Sequence, residues 1–238
     1  AGHHVVILDN LSTGRRDLIP ERATFYHADL TTAELGKIIE QENIEIINHH
    51  AAQTSVQEAI RDPLLDANSN IIGTLQLLRN GLSFNVKKVI FASTGGAMYG
   101  DSGRLPADES QPAMPTHPYA ISKLGAEHYL QFFQKVHRLP SVVLRYSNVF
   151  GPRQNPEGEA GVVAIHCHRL KRGESPLVFG DGEQTRDFIS VRDIVSANLL
   201  ALDPEISGIF NIGTGIETSI NDLTKTLIEL SGQNSEIE

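Results

Sequence analysis

Short runs rich in β-branched residues alternate with stretches of helical periodicity along most of this chain, and that alternation constrains the fold more than any other feature. Consecutive parallel strands need a crossover helix between them, so the pattern implies βαβ units and a doubly wound α/β fold with a parallel sheet covered on both faces. Strands are predicted at Val5–Asp9, Thr24–Ala28, Ile44–Asn48, Lys88–Ala92 and Val142–Tyr146. Thr31 with Glu34 three residues on has the capping-box pattern and predicts a helix to about Glu42. A second helix is predicted from Pro63 to Leu82, with Leu64, Leu65, Ile71, Ile72, Leu75 and Leu78 on its core face, and a third from Tyr119 to His137.

Beyond Gly151 the character changes, with glycine, proline and charge concentrated in Gly151–Gly161 and Gly173–Arg186. This predicts a first domain over residues 1–150 and a smaller, loop-rich domain over residues 151–238. In the second, helices are expected near Gly161–Lys171 and Val191–Leu202, a strand at Ile209–Ile212, and a helix opened by Ser219 with Asp222. The chain reads as if it begins one βα unit late, because the strand ending at Asp9 has no glycine-rich turn before it. Its end at Ser235-Glu236-Ile237-Glu238 likewise comes before the closing elements expected of a substrate domain.

A net charge of −9 argues against a nucleic-acid partner. The single cysteine, Cys167, forms no internal disulfide framework, and the absence of a long apolar run or a signal-like start argues against membrane insertion and secretion. The expected compartment is the cytoplasm.

Tyr119 and Lys123 share one face at the opening of a helix. A lysine beside a tyrosine and a bound cofactor favours the phenolate, which turns a group that titrates near pH ~10 into a proton acceptor close to neutrality. His166 and His168 around Cys167 do not make a metal site, because i and i+2 point to different helix faces. His49-His50 gives no better ligand pair, and no metal is expected.

Several further segments fall in a consistent order: Asp9-Asn10-Leu11-Ser12-Thr13-Gly14, His27-Ala28-Asp29-Leu30, His50-Ala51-Ala52-Gln53, Asn70-Ile71-Ile72-Gly73-Thr74, Ala92-Ser93-Thr94-Gly95-Gly96-Ala97-Met98-Tyr99-Gly100, and Arg145-Tyr146-Ser147-Asn148-Val149-Phe150-Gly151-Pro152. Together with the Tyr119/Lys123 pair they resemble the extended short-chain dehydrogenase/reductases, and within them the NAD-dependent epimerase/dehydratase family. The resemblance spans essentially the whole chain and implies a Rossmann-type fold.

It also implies NAD-dependent epimerisation at C4 of a UDP-hexose of the glucose/galactose type, through a transient 4-keto sugar. Asp9, Asn10 and Ser12 would form the adenosine-ribose pocket, where a carboxylate selects NAD against a 2′-phosphate, although Arg15 and Arg16 could accept that phosphate. Asp29 and Leu30 match the pair flanking the adenine; Ala51, Ala52, Gln53 and Asn70 match positions along the cofactor path, and Tyr146 would lie near the nicotinamide. Tyr119 is the implied base, Lys123 the partner that binds the nicotinamide ribose, and Thr94, with Ser93 second, the bridging hydroxyl. Relatives carry that hydroxyl where this chain has Gly95.

Asn148, Arg153 and Arg186 match diphosphate contacts, with Gln154 a further candidate, and Val178 and Phe179 belong to a segment that sandwiches the uracil. In relatives the 63–82 and 119–137 helices pair across a homodimer, so a homodimer is implied as well. The alternatives are a nucleotide-sugar dehydratase or reductase of the same fold, and a non-catalytic nucleotide-binding fragment. The dehydratases place an acidic residue in the loop where this chain has Gly95, Gly96 and Ala97.

Overall fold

In the first of two compact units, residues 1–91 and 117–142, two strands of β-branched and aromatic residues lie side by side. The computed structural model describes residues 2–32, 34–100, 104–157, 161–233 and 236–237, so parts of the expected loop 151–161 and of the chain end at 235–238 lie outside the described residues. Strand β1 (Val6–Asp9) runs parallel to β2 (Thr24–His27), with Val6 opposite Thr24 and Asp9 opposite His27. The expected capping box does not form. Thr31 gives its N–H and hydroxyl to Asp29 at 2.8 and 2.6 Å, so helix α1 (Leu35–Gln41) starts only after Glu34. An Asx-type bond to a nearer carboxylate has outcompeted the helical cap.

Strand β3 (Ile46–His49) is followed by α2 (Val56–Arg61), whose cap Ser55 accepts the Glu58 N–H at 3.0 Å. The long predicted helix is one continuous helical run in three parts: α3 (Pro63–Ala67), a π-helical turn over Asn68–Ile72, and α4 (Gly73–Ser83). Its buried stripe shares Leu78 with the apolar row expected from the sequence but otherwise differs from it. Asp66, Asn70 and Thr74 face inward with Leu77 and Leu78, whereas Leu64, Leu65 and Ile72 are exposed. The π turn adds one residue to the register there, a device common at functional positions.

Strand β4 (Lys88–Thr94) pairs in parallel with β3, Ile46 opposite Lys88 and His49 opposite Phe91. Helix α5 (Pro118–His137) packs on α2, α3 and α4. Phe133 is buried on it, whereas Phe132 is 47% exposed. The start of β5 (Ser141–Tyr146) lies beside β4, where Val89 N–H bonds to Pro140 carbonyl at 3.0 Å.

The second unit comprises residues 92–116 and 143–238. Here the carboxyl ends of β4 and β5 are joined by a bond from Gly95 N–H to Tyr146 carbonyl at 2.7 Å. Its other elements are β6 (Asn148–Phe150), α6 (Val162–Lys171), β7 (Thr185–Arg186), β8 (Phe188–Ser190), α7 (Val191–Leu200), β9 (Gly208–Ile212), β10 (Thr218–Ser219) and α8 (Ile220–Ser231). β9 neighbours β5, β6 runs parallel to β8, and β7 antiparallel to β10. The expected cap Ser219 accepts the Asp222 N–H at 3.0 Å. His166 is buried against α8, its ring nitrogens 3.2 Å from Thr224 Oγ1 and 3.2 Å from Leu177 carbonyl.

Candidate active site

The first unit gathers every residue expected along the cofactor path except Tyr146. Asp9 ends β1, and its Oδ1 accepts the Leu11 N–H at 2.7 Å; among the described residues Oδ2 has no hydrogen-bond partner. Asn10 donates to Asp29 at 2.8 Å and accepts the Ser12 N–H at 3.0 Å. The Thr31 hydroxyl, its amide and Asn10 hold the Asp29 carboxyl below its ordinary value. A carboxylate with an open oxygen at the carboxyl end of a parallel strand suits a ribose diol. Arg15 is ion-paired to Asp17 at 2.5 Å, and Arg16 lies over the Phe25 ring at 5.7 Å. Leu30 packs on Gly73, where a Cβ would meet its Cδ2 at 3.2 Å, a tight contact with the end of the leucine side chain.

The turn after β3 is fastened to the π turn. Asn70 accepts the Gln53 N–H and donates to the Gln53 carbonyl, both at 2.9 Å. The same amide lies 3.0 Å from Asp66 and 3.1 Å from Ser122 on α5. Ala51 is exposed and Ala52 half-buried, which leaves the backbone of this turn open to approach.

Tyr119 and Lys123 sit one turn apart at the start of α5. The helix opens through Pro118 after His117, whose Nδ1 accepts the Ala120 N–H at 3.4 Å and whose ring stacks on Tyr119 with centroids 6.2 Å apart. Lys123 is 3% exposed, with Nζ 4.7 Å from the Phe91 ring centroid. Burial brings its pKa down to about 8, against the pull of Asp66 and Glu127. Burial, reinforced by the charge of Asp66, pushes the Tyr119 phenol up to about 12. With protein groups alone the phenol is thus moved away from the phenolate, and Lys123 is not among the groups that shift it.

In the second unit Ser93 is buried and Thr94 half-buried at the end of β4. A Cβ at Gly95 would lie 3.2 and 3.3 Å from the Arg145 and Tyr146 carbonyls, so a side chain there would face the β5 backbone. Tyr146 directs its hydroxyl to Asn198, which donates at 2.8 Å. Asn148 donates to the Asp187 carbonyl through its backbone N–H at 2.9 Å and its side chain at 3.3 Å.

A cavity of about 460 Å³ brings together Asn148, Gln154, Val178, Phe179 and Arg186. Its size suits a nucleotide, and it couples apolar walls to one guanidinium. Phe179 is 78% exposed, as a ring offered for stacking would be, and among the described residues the Arg186 guanidinium bonds only the Thr185 carbonyl, at 2.7 Å. Arg153 is exposed and does not line the cavity. Sequence reasoning missed Gln184, which lines it and donates to Phe179 carbonyl at 3.1 Å; its place two residues before Arg186 was the available signal.

A Rossmann-type α/β fold with a half-buried tyrosine and a buried lysine one helical turn apart defines the class of nucleotide-cofactor enzymes built on the short-chain dehydrogenase pattern. The profile of the NAD dependent epimerase/dehydratase family matches residues 1–213, and the chain belongs to that family. It is 39% identical over 243 residues to a UDP-glucose 4-epimerase of Mycolicibacterium smegmatis, covering 100% of this chain and 78% of the relative. Among solved structures it is similar to a UDP-glucose 4-epimerase of Thermotoga maritima crystallised with UDP-glucose, with TM-score 0.95 and 44% identity over 100% of this chain and 78% of the other. It is also similar to the UDP-glucose 4-epimerase of Thermus thermophilus in complex with NAD, with TM-score 0.92 and 39% identity over 98% and 77% of the two chains.

Proposed function

We propose that this chain is an enzyme that interconverts the C4 epimers of a UDP-hexose, of the glucose/galactose type, with NAD as a recycled cofactor. The pair of half-buried Tyr119 and buried Lys123 carries the reading, in a chain similar to UDP-glucose 4-epimerases along nearly its whole length. Asp9, Asn10, Ser12, Asp29 and Leu30 would hold the adenosine end of NAD. Ala51, Ala52, Gln53 and Asn70 would shape its path, and Lys123 and Tyr146 its nicotinamide end. Bound NAD supplies a hydride acceptor that returns what it takes, together with a positive charge that favours the phenolate.

Tyr119 then takes the proton of the sugar 4-hydroxyl and returns it once the 4-keto sugar has turned its other face. Thr94, with Ser93 beside it, donates a hydrogen bond to the sugar oxygen and steadies the charge that develops there. Arg186 and Asn148 hold the diphosphate, Val178 and Phe179 the uracil. Gly95, Gly96 and Ala97 offer no carboxylate for the elimination a dehydratase needs, which favours epimerisation.

We further propose a homodimer formed through the exposed apolar face of the first unit, which includes Leu64, Ile121, Tyr129 and Phe132. No helix among the described residues is long and apolar enough to cross a membrane. The test is incubation with NAD and a panel of UDP-hexoses, with products read by NMR. C4 epimers without net oxidation support the reading; accumulation of a 4-keto-6-deoxy sugar, or no reaction with any member, contradicts it.

A further inference from the structure

Asp66 has no part in the chemistry above, yet it is 1% exposed, on α3 beneath the Tyr119 helix. Its Oδ1 lies 3.0 Å from Asn70 Nδ2 and accepts from Gln53 Nε2 at 3.3 Å. Asn70 Nδ2 also lies 3.1 Å from Ser122 Oγ, whose hydroxyl donates to the Tyr119 carbonyl at 2.9 Å, so one buried carboxylate holds the turn after β3 and the π turn directly and reaches α5 through Asn70. Burying a carboxylate costs free energy unless its oxygens are bonded and a cation lies near, and here the cation is Lys123.

We propose that Asp66 is a positioning residue for the Tyr119–Lys123 pair: its carboxylate fixes Gln53 and Asn70 against α5 and supplies the fixed negative charge that keeps the buried Lys123 ammonium in place. This rests on the reading of Tyr119 and Lys123 given above. The charge acts on both members, favouring the protonated lysine and disfavouring the phenolate. Among the described residues the other ionisable groups facing this cluster are His117 at the N-cap of α5, Glu127 on α5, His49 at the end of β3 and His50 just after it; Glu58 and Arg61 on α2 are paired with each other. Glu127 acts on Lys123 but is not among the groups that shift Tyr119, which separates the two carboxylates.

The test is a pH titration of tyrosinate absorbance, taken as the difference between each protein and its Tyr119→Phe counterpart, with no nucleotide added. Asp66→Asn keeps the shape and removes the charge; the Tyr119 midpoint is expected to fall by about 1 pH unit, as for loss of one nearby like charge. Asp66→Glu should restore it, and Glu127→Gln should leave it unmoved. If Asp66→Asn does not fold, Asp66→Ser is read in the same way. In turnover, Asp66→Asn should shift both limbs of the pH profile to lower pH, whereas a merely structural loss would lower kcat without moving them. An unmoved Tyr119 midpoint in a folded charge-deleting variant overturns the proposal. Absence of epimerisation in the unaltered protein would overturn the functional reading instead, and the absorbance titration would still decide the role of Asp66.

Discussion

Asn70 satisfies both backbone polar groups of Gln53, its side-chain oxygen taking the N–H and its nitrogen giving to the carbonyl, each at 2.9 Å. Asn70 is 2% exposed, so deleting its amide strands two partly buried backbone groups. Asn70→Ala is expected to destabilise the protein by about 2 to 4 kcal/mol. It should also weaken NAD binding, since the Ala51–Gln53 turn loses its anchor. Urea unfolding and a fluorescence titration with NAD check the two effects; unchanged values for both would contradict the assigned anchoring role.

His49 is 4% exposed, its Nε2 2.9 Å from Thr74 Oγ1, and burial, Lys123 and His50 bring its pKa down from 6.5 to about 3. The unfolded chain binds this proton at a higher pH than the folded one does, so the stability the neutral ring contributes is present above pH 6.5 and is lost as pH falls toward 3. The loss approaches roughly 1.4 kcal/mol for each pH unit crossed. Thermal unfolding of the protein and of His49→Gln across that range should show a shallower acid limb in the variant. Parallel curves would contradict it.

The strand positions and most helices were legible because short β-branched runs and capping serines carry local signals. The strand ends shifted by a residue or two, and Ser219 capped α8 as its spacing to Asp222 implied. What was not legible depended on partners distant in sequence. Thr31 abandoned its capping role for Asp29, and the π turn brought Asp66 and Asn70 inward where the leucine periodicity suggested apolar side chains. Of the candidate substrate residues, Asn148, Val178, Phe179 and Arg186 meet at one cavity; Arg153 does not, and motif position alone did not reveal this.

Among the described residues Arg186 is the one guanidinium on that cavity, and charge-assisted bonds to a diphosphate are worth about 1.5 to 3 kcal/mol. Arg186→Ala should therefore weaken UDP binding by roughly 10- to 100-fold, and Arg186→Lys by less, because an ammonium lacks the planar fork. Calorimetric titration with UDP measures this; equal affinity in all three proteins would remove Arg186 from the substrate site.

Thr94→Ala should lower turnover by about 100- to 1,000-fold, the range expected for one hydrogen-bond donor to the reacting oxygen. Adding Gly95→Ser should not restore it, because that side chain would meet the Arg145 and Tyr146 carbonyls at 3.2 and 3.3 Å. Steady-state kinetics of the single and double variants decide. Rescue by the serine would mean that the loop presents residue 95, not 94, to the sugar.

The most direct test of the account is Tyr119→Phe, which removes a single oxygen from a half-buried ring and leaves its packing in place. Measured by NMR on a UDP-hexose with NAD, C4 interconversion is expected to fall by at least about 100-fold, the lower bound for losing a general base, while calorimetry shows UDP affinity unchanged. Near-full turnover in Tyr119→Phe would contradict the assignment of the base, and with it the mechanism proposed for this chain.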